Sequence, residues 1–548
     1  MKALILLFGF ALFGWAQQPD NGQCTGCHDV DKKVSQSAHQ AVACAKCHVK
    51  HEEYPHPANI PKPECNTCHS DQVAAYSTSI HNEAAQAGKA APDCGVCHGT
   101  THEIMKPNSV QFKSNVVDTC GMCHDKVVEQ YRQSVHGKAV AAGFQQAPVC
   151  SDCHGEHAIK KHTNPQSSVF GAHLADTCGR CHGDVRLATR LHLPTDRIST
   201  FQASFHGLAL KSGMVRAANC ASCHGVHNIL PSDDPKSTIN SKNLKATCGK
   251  CHNGAGEKFA LGPVHSAGTK AESPAVGWVR KLYVVLIPAV LGFMLIHNFG
   301  DWVRKLWRRR IRNIDEKMTA TRELRMPPLE RKMHMLLLTS FIILTWTGFA
   351  LLYPSDWWAK PLLLWEAKFS VRAWVHRIAS LVFIFVSFWH VWALATNKRF
   401  RQNWYGMLPQ FSDATDMIMM SLYNVGLRKT KPLLPHHSYI AKMEYWAVVW
   451  GAIVMAGTGI LMWANDFVLR TFNNTVIEIA TAVHFYEAVL AAAAIVIWHF
   501  YFVIADPDVY PLDTAFLTGI SARQKPAAEI EAEQQEHKQD NQKEIAKV

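Results

Sequence analysis

The second half of this chain lacks cysteine, and the first half almost entirely lacks tryptophan. No Cys follows Cys251, and apart from Trp15 no Trp precedes Trp278. Charged residues make up only 18% of the 548 residues. The composition excludes an ordinary cytosolic enzyme, a collagen-like chain and a disordered protein. The length suggests about three or four domains, and the first half needs something other than large aromatic side chains to fill its interior.

The N-terminus has the features of an export signal. Lys2 precedes a short apolar run, Ala3 to Trp15, which is too short for a stable membrane span. Gly14 and Ala16 suit the −3 and −1 positions of a cleavage site. We therefore predict that residues 1–16 are a secretory signal peptide and that the Cys-rich half is exported; the alternative is an uncleaved anchor helix.

All 18 cysteines belong to nine copies of Cys-x-x-Cys-His. The cysteines are Cys24, Cys27, Cys44, Cys47, Cys65, Cys68, Cys94, Cys97, Cys120, Cys123, Cys150, Cys153, Cys178, Cys181, Cys220, Cys223, Cys248 and Cys251. The closing histidines are His28, His48, His69, His98, His124, His154, His182, His224 and His252. This spacing is typical of c-type haem attachment, in which both thiols bind the porphyrin and the His binds the iron. One copy could be a zinc half-site or a redox dithiol, but nine copies predict nine covalent haem c groups.

Other histidines match the second axial position of each iron. Residues 1–270 hold 22 His, of which 13 lie outside the motifs, and nine of these fall into two patterns. Five follow a motif by 11 to 24 residues, usually as Ser-x-His: His39, His81, His136, His206 and His265. Four follow the motif His closely: His51, His102, His157 and His227. We predict bis-His ligation, the alternative being that some irons use Met or stay open.

Four histidines are left over by this count. They are His56, His162, His173 and His192, and we predict that they are solvated or bind propionates.

The motifs also form an internal repeat. Each unit holds a motif, a downstream His, a second motif and a closely following His. Units begin at Cys24, Cys65, Cys120 and Cys178, and a half-unit begins at Cys248. A closely following His cannot reach the far face of its own haem, so we expect it to bind a neighbouring one. Residues 17–270 are therefore predicted to be a haem-cored cytochrome c domain of short helices and loops.

The second half is predicted to be an all-α transmembrane bundle of five helices. Five apolar stretches reach the roughly 20 residues that a span requires: 278–300, 333–353, 372–396, 443–464 and 479–504. Basic residues follow the first and third stretches, and they indicate topology rather than nucleic-acid binding: Arg304, Lys305, Arg308, Arg309, Arg310 and Arg312, then Lys398, Arg399 and Arg401. This predicts a bacterial inner-membrane bundle over residues 271–505, a periplasmic haem c domain and a cytoplasmic tail over 506–548, mobile from residue 521.

Histidines inside spans are costly and usually functional. His376 and His390 lie on the third stretch, and His484 and His499 on the fifth, about 21 and 22 Å apart along their helices. His376 and His484 are predicted to bind an outer haem b. For the inner haem b, His499 could pair with His390 or with His334. Thr347-Gly348 and Thr458-Gly459 could let a porphyrin approach, although helix packing alone would explain them.

Residues 325–505 resemble the diheme cytochrome b subunits of formate dehydrogenases and Ni-Fe hydrogenases. Arg331-x-x-His334 resembles the first ligand helix of that family. The resemblance implies that His376 and His484 hold the outer haem, and that His334 and His499 hold the inner one. His390 is not part of that pattern, and the first span with His297 is extra.

The combination with nine c-type motifs resembles the CbcL-type inner-membrane multihaem cytochromes of metal-reducing bacteria. The resemblance implies oxidation of menaquinol and electron delivery to periplasmic c-type cytochromes for extracellular metal respiration. We predict a quinol:cytochrome c oxidoreductase. The alternatives are a quinone reductase running in reverse, a passive conduit, and a multihaem catalytic reductase such as a nitrogen-oxide enzyme. The last needs an open iron face, whereas the candidate ligands equal the irons in number.

The quinol site is expected toward the cytoplasm, since only then does a second, deep haem b have a task. The candidates are His437, Tyr439, Lys442 and Glu444. In an alternative register Asn424 makes the contact. These residues could instead form an interfacial loop that anchors to headgroups.

Overall fold

The computed structural model of the protein describes most of the chain. The described residues are 21–49, 55–57, 61, 63–100, 102–253, 256, 265, 273–311, 318–435, 437–472 and 474–526. The predicted signal peptide, the predicted ligand His51 and tail residues 527–548 lie outside them.

Two compact units make up the fold. The first comprises Met1–Thr195 and Asn219–Asn243, and the second comprises Asp196–Ala218 and the chain from Leu244 onward. The second unit therefore contains the five apolar helices together with the ninth Cys-x-x-Cys-His motif and the segment that carries His206.

Short helices joined by loops form the first unit. They are Gly22–Thr25, Asp31–Gln36, Cys44–Cys47, Cys65–Thr67, Ser70–Ser77, Ile80–Gln86, Cys94–His98, Val110–Gly121, Asp125–Gln133, Val135–Ala141, Cys150–His154, Leu174–His182, Val185–Arg190 and Cys220–His224. A small apolar cluster of Val117, Val128 and Val149 is buried among them. Such small side chains cannot fill the interior of about 200 residues, which agrees with an interior built around attached groups.

Serine caps explain the Ser-x-His pattern. The Ser79 and Ser134 side chains accept hydrogen bonds from the backbone N–H groups of Asn82 and Gly137, at the N-termini of the helices Ile80–Gln86 and Val135–Ala141. An N-cap serine satisfies an N–H group that the helix leaves free. The cap thereby fixes the predicted ligand, two residues after the serine, in the first turn of a helix.

The repeat is also visible in backbone hydrogen bonds. Ile80 N–H donates to the carbonyl of Ile159 at 2.8 Å, and Val135 N–H donates to that of Ile229 at 2.9 Å. In each bond the donor residue directly precedes the histidine of a Ser-x-His pattern. The acceptor residue lies two positions after a histidine of the other type, which closely follows its motif. The two histidine types of different repeat units are therefore held side by side.

Five long helices dominate the second unit, and each is long and apolar enough to cross a membrane. They are Pro274–Trp307, Pro328–Leu352, Val371–Thr396, Tyr439–Trp463 and Asn474–Ala505, called spans one to five below. The helix of span one continues to Ile311, and the last helix changes to π-helical turns over Ile495–His499 and Tyr501–Ala505. The five predicted transmembrane helices are confirmed, and the chain is an integral membrane protein.

Shorter elements complete the second unit. The helices are Arg197–Ala203, Phe205–Lys211, Leu244–Gly249, Lys360–Leu363, Glu366–Phe369, Lys398–Tyr405, Phe411–Asn424, Asn465–Thr471 and Ala515–Thr518. Strands Met318–Leu324 and Ile520–Pro526 pair antiparallel, with Met318 opposite Pro526. Residues 521–526, which the sequence analysis placed in a mobile tail, therefore form an ordered strand.

Candidate functional site

Each Cys-x-x-Cys-His motif described as α-helical places its three reactive side chains on one face. The motifs at Cys94–His98, Cys150–His154 and Cys220–His224 each form one helical turn. Residues at i, i+3 and i+4 share a face of a helix. Both sulfurs and the imidazole can then meet a single porphyrin.

Consecutive motifs lie next to one another. Within one repeat unit the first cysteines of the two motifs are close enough for one thiol to shift the pKa of the other, as in the pairs Cys65 and Cys94, Cys120 and Cys150, and Cys178 and Cys220. These sulfurs stand where thioether links to porphyrin would be. The described motifs thus form neighbouring pairs and not isolated sites.

Among the described residues, eight motif histidines are seen to face a second histidine across a gap. The ring centroids are 5.9 to 6.4 Å apart. Imidazole nitrogens bind a first-row transition metal at about 2 Å, so two rings on opposite sides of one metal have centroids roughly 6 Å apart. The pairs, motif histidine first, are His28 with His56, His48 with His102, His69 with His39, His98 with His157, His124 with His81, His154 with His227, His182 with His136, and His252 with His206.

Seven of these eight pairs connect different repeat units, whereas His28 and His56 both lie in the unit that begins at Cys24. His102 closely follows the motif that ends at His98 but faces His48, from the unit before. His81 faces His124, from the unit after. These seven pairs therefore join segments that belong to two different repeat units.

His56 faces a motif histidine although it is outside the predicted ligand set. The sequence predicts a solvated or propionate-binding residue, yet its ring lies 6.3 Å from that of His28, stacked within 13°. No spacing signal singles it out, because it follows its motif by neither of the two recurring intervals. Of the other spare histidines, His162 and His192 are exposed, and His173 Nδ1 lies 2.9 Å from the Ser167 carbonyl.

Two further predicted ligands have defined surroundings. His224 ends the helix Cys220–His224. His265 Nδ1 lies 3.2 Å from the Thr200 hydroxyl.

Burial favours the neutral imidazole in this region. It is the main cause that lowers the pKa of His81, His98, His136, His154, His182, His206 and His227. A neutral ring has the free lone pair that a metal ligand needs.

In the membrane unit, His376 and His484 have matching surroundings. Thr347 Oγ1 donates to the Ile343 carbonyl at 2.6 Å and lies 2.7 Å from His376 Nδ1. Thr458 Oγ1 donates to the Val454 carbonyl at 2.7 Å and lies 2.9 Å from His484 Nδ1. Because each hydroxyl proton is already donated, each imidazole must donate its Nδ1–H to the threonine. This tautomer leaves Nε2 of both rings free for a metal.

Glycines open space beside the same two rings. A Cβ on Gly348 would lie 3.7 Å from His376 Cε1, and one on Gly459 would lie 3.5 Å from His484 Cε1. Together with the fixed tautomers, the small residues beside both rings are compatible with a planar cofactor bound by His376 and His484. We call this end of the bundle the His376 end.

A buried ion pair borders the His376 end. Glu366 Oε2 accepts the backbone N–H of Arg372 at 2.7 Å, and the Arg372 guanidinium donates to the Thr347 carbonyl at 3.2 Å. Glu366 is fully buried and Arg372 is 5% exposed. The pair fixes the start of span three against the threonine that orients His376.

At the opposite end of the bundle, His334 faces His499. Their ring centroids are 6.4 Å apart, the same gap as in the Cys-rich pairs. Glu444 Oε1 lies 3.3 Å from His499 Nδ1, so this ring also directs Nε2 away from its hydrogen-bond partner. We call this the His334 end.

His390 is the alternative partner for His499. Its Nε2 lies 2.9 Å from the Tyr445 hydroxyl, so the geometry favours His334 over His390.

The five predicted quinone-site residues lie at the His334 end but not in one cluster. Lys442 Nζ is 2.8 Å from Asp413 Oδ1 in a buried ion pair, so its charge fixes the helix Phe411–Asn424 against span four. Glu444 is beside His499. His437 lies against Gly406, where an added Cβ would be 2.3 Å from its ring.

Tyr439 and Asn424 meet at His297, on span one. His297 Nε2 is 2.6 Å from the Tyr439 hydroxyl, and the Asn424 side chain donates to the His297 carbonyl at 3.3 Å. Asn424 is 6% exposed, and among the described residues its Oδ1 has no hydrogen-bond partner. His297 is outside the predicted quinone-site residues, although a histidine within an apolar span is itself a signal of function.

Below His297, span one continues as a buried ionic cluster. Lys305 Nζ lies 2.7, 2.8 and 3.4 Å from carboxylate oxygens of Asp301, Asp506 and Asp508. Tyr501 donates to Asp301 at 2.5 Å. Lys305, which the sequence analysis used as a topology signal, is therefore also a structural partner that ties span one to the end of span five.

Histidine pairs on membrane-spanning helices, with oriented tautomers and glycine-lined space, define a membrane cytochrome b domain. Residues 325–510 match the prokaryotic cytochrome b561 family. That family binds b haems and transfers electrons in the membrane, so this region is a membrane electron-transfer domain. The match covers spans two to five, and span one and the Cys-rich region lie outside it. No curated protein and no solved structure matches the chain.

Proposed function

We propose that the protein is a membrane quinol:cytochrome c oxidoreductase. It oxidises menaquinol to menaquinone, releasing two protons and two electrons, and periplasmic c-type cytochromes accept the electrons for extracellular metal respiration. The haems would supply a series of one-electron carriers. The observation that carries this proposal is that one chain holds nine c-type attachment motifs and two histidine pairs in a cytochrome b561 region.

The ligands are assigned from the facing rings and, for His376 and His484, from the threonines that orient them. His376 and His484 would hold one haem b, and His334 and His499 would hold the other. Eight haem c groups would be held by the facing pairs described above, including His28 with His56. His51 and His265 remain predicted ligands from the sequence, as does the motif histidine His224.

The quinol site is placed at the His334 end, and this end is placed at the cytoplasmic face. Tyr439 and Asn424 around His297, and Glu444 beside His499, supply polar groups next to the inner haem pair. Electrons moving outward then travel toward the positive side and gain about 2.3 kcal/mol per 100 mV of membrane potential. The enzyme thus uses membrane potential to drive electrons onto weakly oxidising acceptors.

Proteoliposomes with the haem domain outward test this proposal. A menaquinol analogue is added with a membrane-impermeant acceptor outside and a pH indicator trapped inside. The proposal predicts acceptor reduction with protons released inside, on the side away from the haem domain. Protons on the haem-domain side would contradict the placement of the site, and no quinol-dependent reduction of either haem class would contradict the function.

A further inference from the structure

The ninth attachment motif belongs to the membrane unit. The compact unit with the five spans includes Asp196–Ala218 and the chain from Leu244 onward. His252 of the ninth motif and His206 thus lie in the same unit, with ring centroids 6.1 Å apart. The seven other described pairs of Cys-rich histidines all lie in the other unit.

A helix between spans four and five holds the end of this motif. Arg470, on the helix Asn465–Thr471, donates to the Asn253 carbonyl from Nε at 3.1 Å and also from Nη2. Asp466 Oδ1 lies 3.6 Å from His252 Nδ1. The side chains of Val468 and Leu469 are buried and fix this helix to the unit. The helix that contacts the ninth motif is therefore itself held in place.

The partner ring is held separately. The helix Phe205–Lys211, which carries His206, packs against the helix Pro328–Leu352 of span two. Ala209 and Leu210 of this helix are buried. Both rings of the ninth pair are therefore attached to the membrane helices through different contacts.

The contacts are at the His376 end of the bundle. Gly459, beside His484, lies one helical turn before Trp463, the last residue of span four, or about 6 Å along the axis. The helix with Asp466 and Arg470 begins two residues later. A short, continuous stretch of chain thus links the His484 site to the ninth motif.

We propose that the ninth haem c site, formed by Cys248, Cys251, His252 and His206, is the port by which electrons leave the membrane haems, and that Arg470 positions it. Electrons then enter the c series at the last motif in the sequence. This inference rests on the proposed function for the direction of flow, but not for the contact itself.

Rapid-mixing spectroscopy of the whole holoprotein in nanodiscs tests the port. A menaquinol analogue reduces the protein, and b and c absorbances are followed separately in wild type, Arg470→Ala and Arg470→Lys. We expect Arg470→Ala to keep all haems and the rate of b reduction but to slow c reduction about tenfold, because the ring pair loses its alignment. Arg470→Lys, which keeps a donor for the Asn253 carbonyl, should restore most of the rate.

A matched control is Arg132→Ala, which removes an exposed arginine paired with Asp118 in the first unit. It should change neither rate. Wild-type rates of c reduction in Arg470→Ala would overturn the port.

A second measurement does not depend on quinol. A flash-excited photoreductant reduces the c haems, and the arrival of electrons at the b haems is timed. A slowed b signal in Arg470→Ala supports the port even where the quinol reaction fails, whereas an unchanged signal contradicts it.

Potentiometry of Asp466→Asn gives a third readout. Loss of a carboxylate beside His252 destabilises the oxidised iron, so the potential of a single c haem should rise. An unchanged potentiometric curve would show that Asp466 does not act on this site.

Discussion

The Cys-rich first unit and the membrane bundle hold histidine pairs in two different ways. In the first unit most paired rings come from different repeat units and are placed by one-turn helices and serine caps, as His81 is by Ser79. In the bundle, paired rings sit on long helices and are oriented by side chains on neighbouring helices, as Thr458 orients His484. In the first unit, the pairing of histidines therefore depends on the loops that connect short helices. In the bundle, it depends on how far along its helix each histidine lies.

The difference has a physical basis in what fills each interior. The described core of the first unit has small apolar side chains such as Val117 and Val128, so attached groups must provide the packing. The bundle packs large side chains such as Trp498, Tyr501 and Phe502. We therefore expect loss of one ligand in the bundle to remove a haem, while loss of one in the first unit leaves its haem covalently attached.

The largest expected effect is at the His376 end. His484→Ala or His376→Ala should remove one of two extractable haems, since a non-covalent haem loses its axial bond, and should keep all nine covalent ones. Pyridine haemochrome spectra of purified protein measure both counts. Loss of covalent haems in these variants would break the comparison between the two regions.

The next effect separates two histidines at the His334 end. His334→Ala should lose the inner haem b, and the matched variant His390→Ala should keep it, because His390 bonds Tyr445 and not an iron. The haem b content and the redox titration of each variant decide this. The reverse result would show that the inner ligand set is wrong.

A change of spin state is expected in the first unit. His56→Ala should leave nine covalent haems but convert one low-spin iron to high spin, and His162→Ala, at an exposed spare histidine, should not. EPR and magnetic circular dichroism report the spin state. A fully low-spin His56→Ala protein would remove His56 from the ligand set.

A smaller effect is expected from the threonine that orients His484. Thr458→Val should keep haem b as expressed but weaken its retention by about 10–100-fold, as for other residues that orient metal-bound histidines. Haem transfer to apomyoglobin measures the retention. Thr481→Val is the control, since Thr481 bonds the Ile477 carbonyl of its own helix and no histidine.

The smallest effect concerns backbone packing after a Ser-x-His motif. A Cβ on Gly137 would lie 2.1 Å from the Tyr131 carbonyl oxygen, so Gly137→Ala should lower the free energy of unfolding by about 1–3 kcal/mol. Gly249→Ala, where a Cβ meets nothing within 4 Å, should be nearly neutral. Guanidinium unfolding followed by circular dichroism compares the two, and equal stabilities would show that Gly137 is not constrained.

The sequence allowed prediction of the five spans and the nine motifs because both depend on local pattern. Apolar length defines a span, and Cys-x-x-Cys-His has a fixed spacing. It did not allow prediction of the pair His28 and His56, because that contact joins residues 28 positions apart with no recurring spacing.

Contacts between segments that are distant in sequence also could not be predicted. The strand at residues 318–324 pairs with one at 520–526, across about 200 residues of chain. Likewise, the network around His297 joins span one to Tyr439 and Asn424. Composition and periodicity report the buried face of an element but not its partner.

A haem count by intact mass and pyridine haemochrome spectroscopy on the same sample tests the central claim most directly. The chain, with its nine attachment motifs and two membrane histidine pairs, should carry nine covalent haems in the mass spectrum and two more that acid acetone extracts. Fewer than nine covalent haems, or no extractable haem, would contradict the electron-transfer chain proposed for this protein.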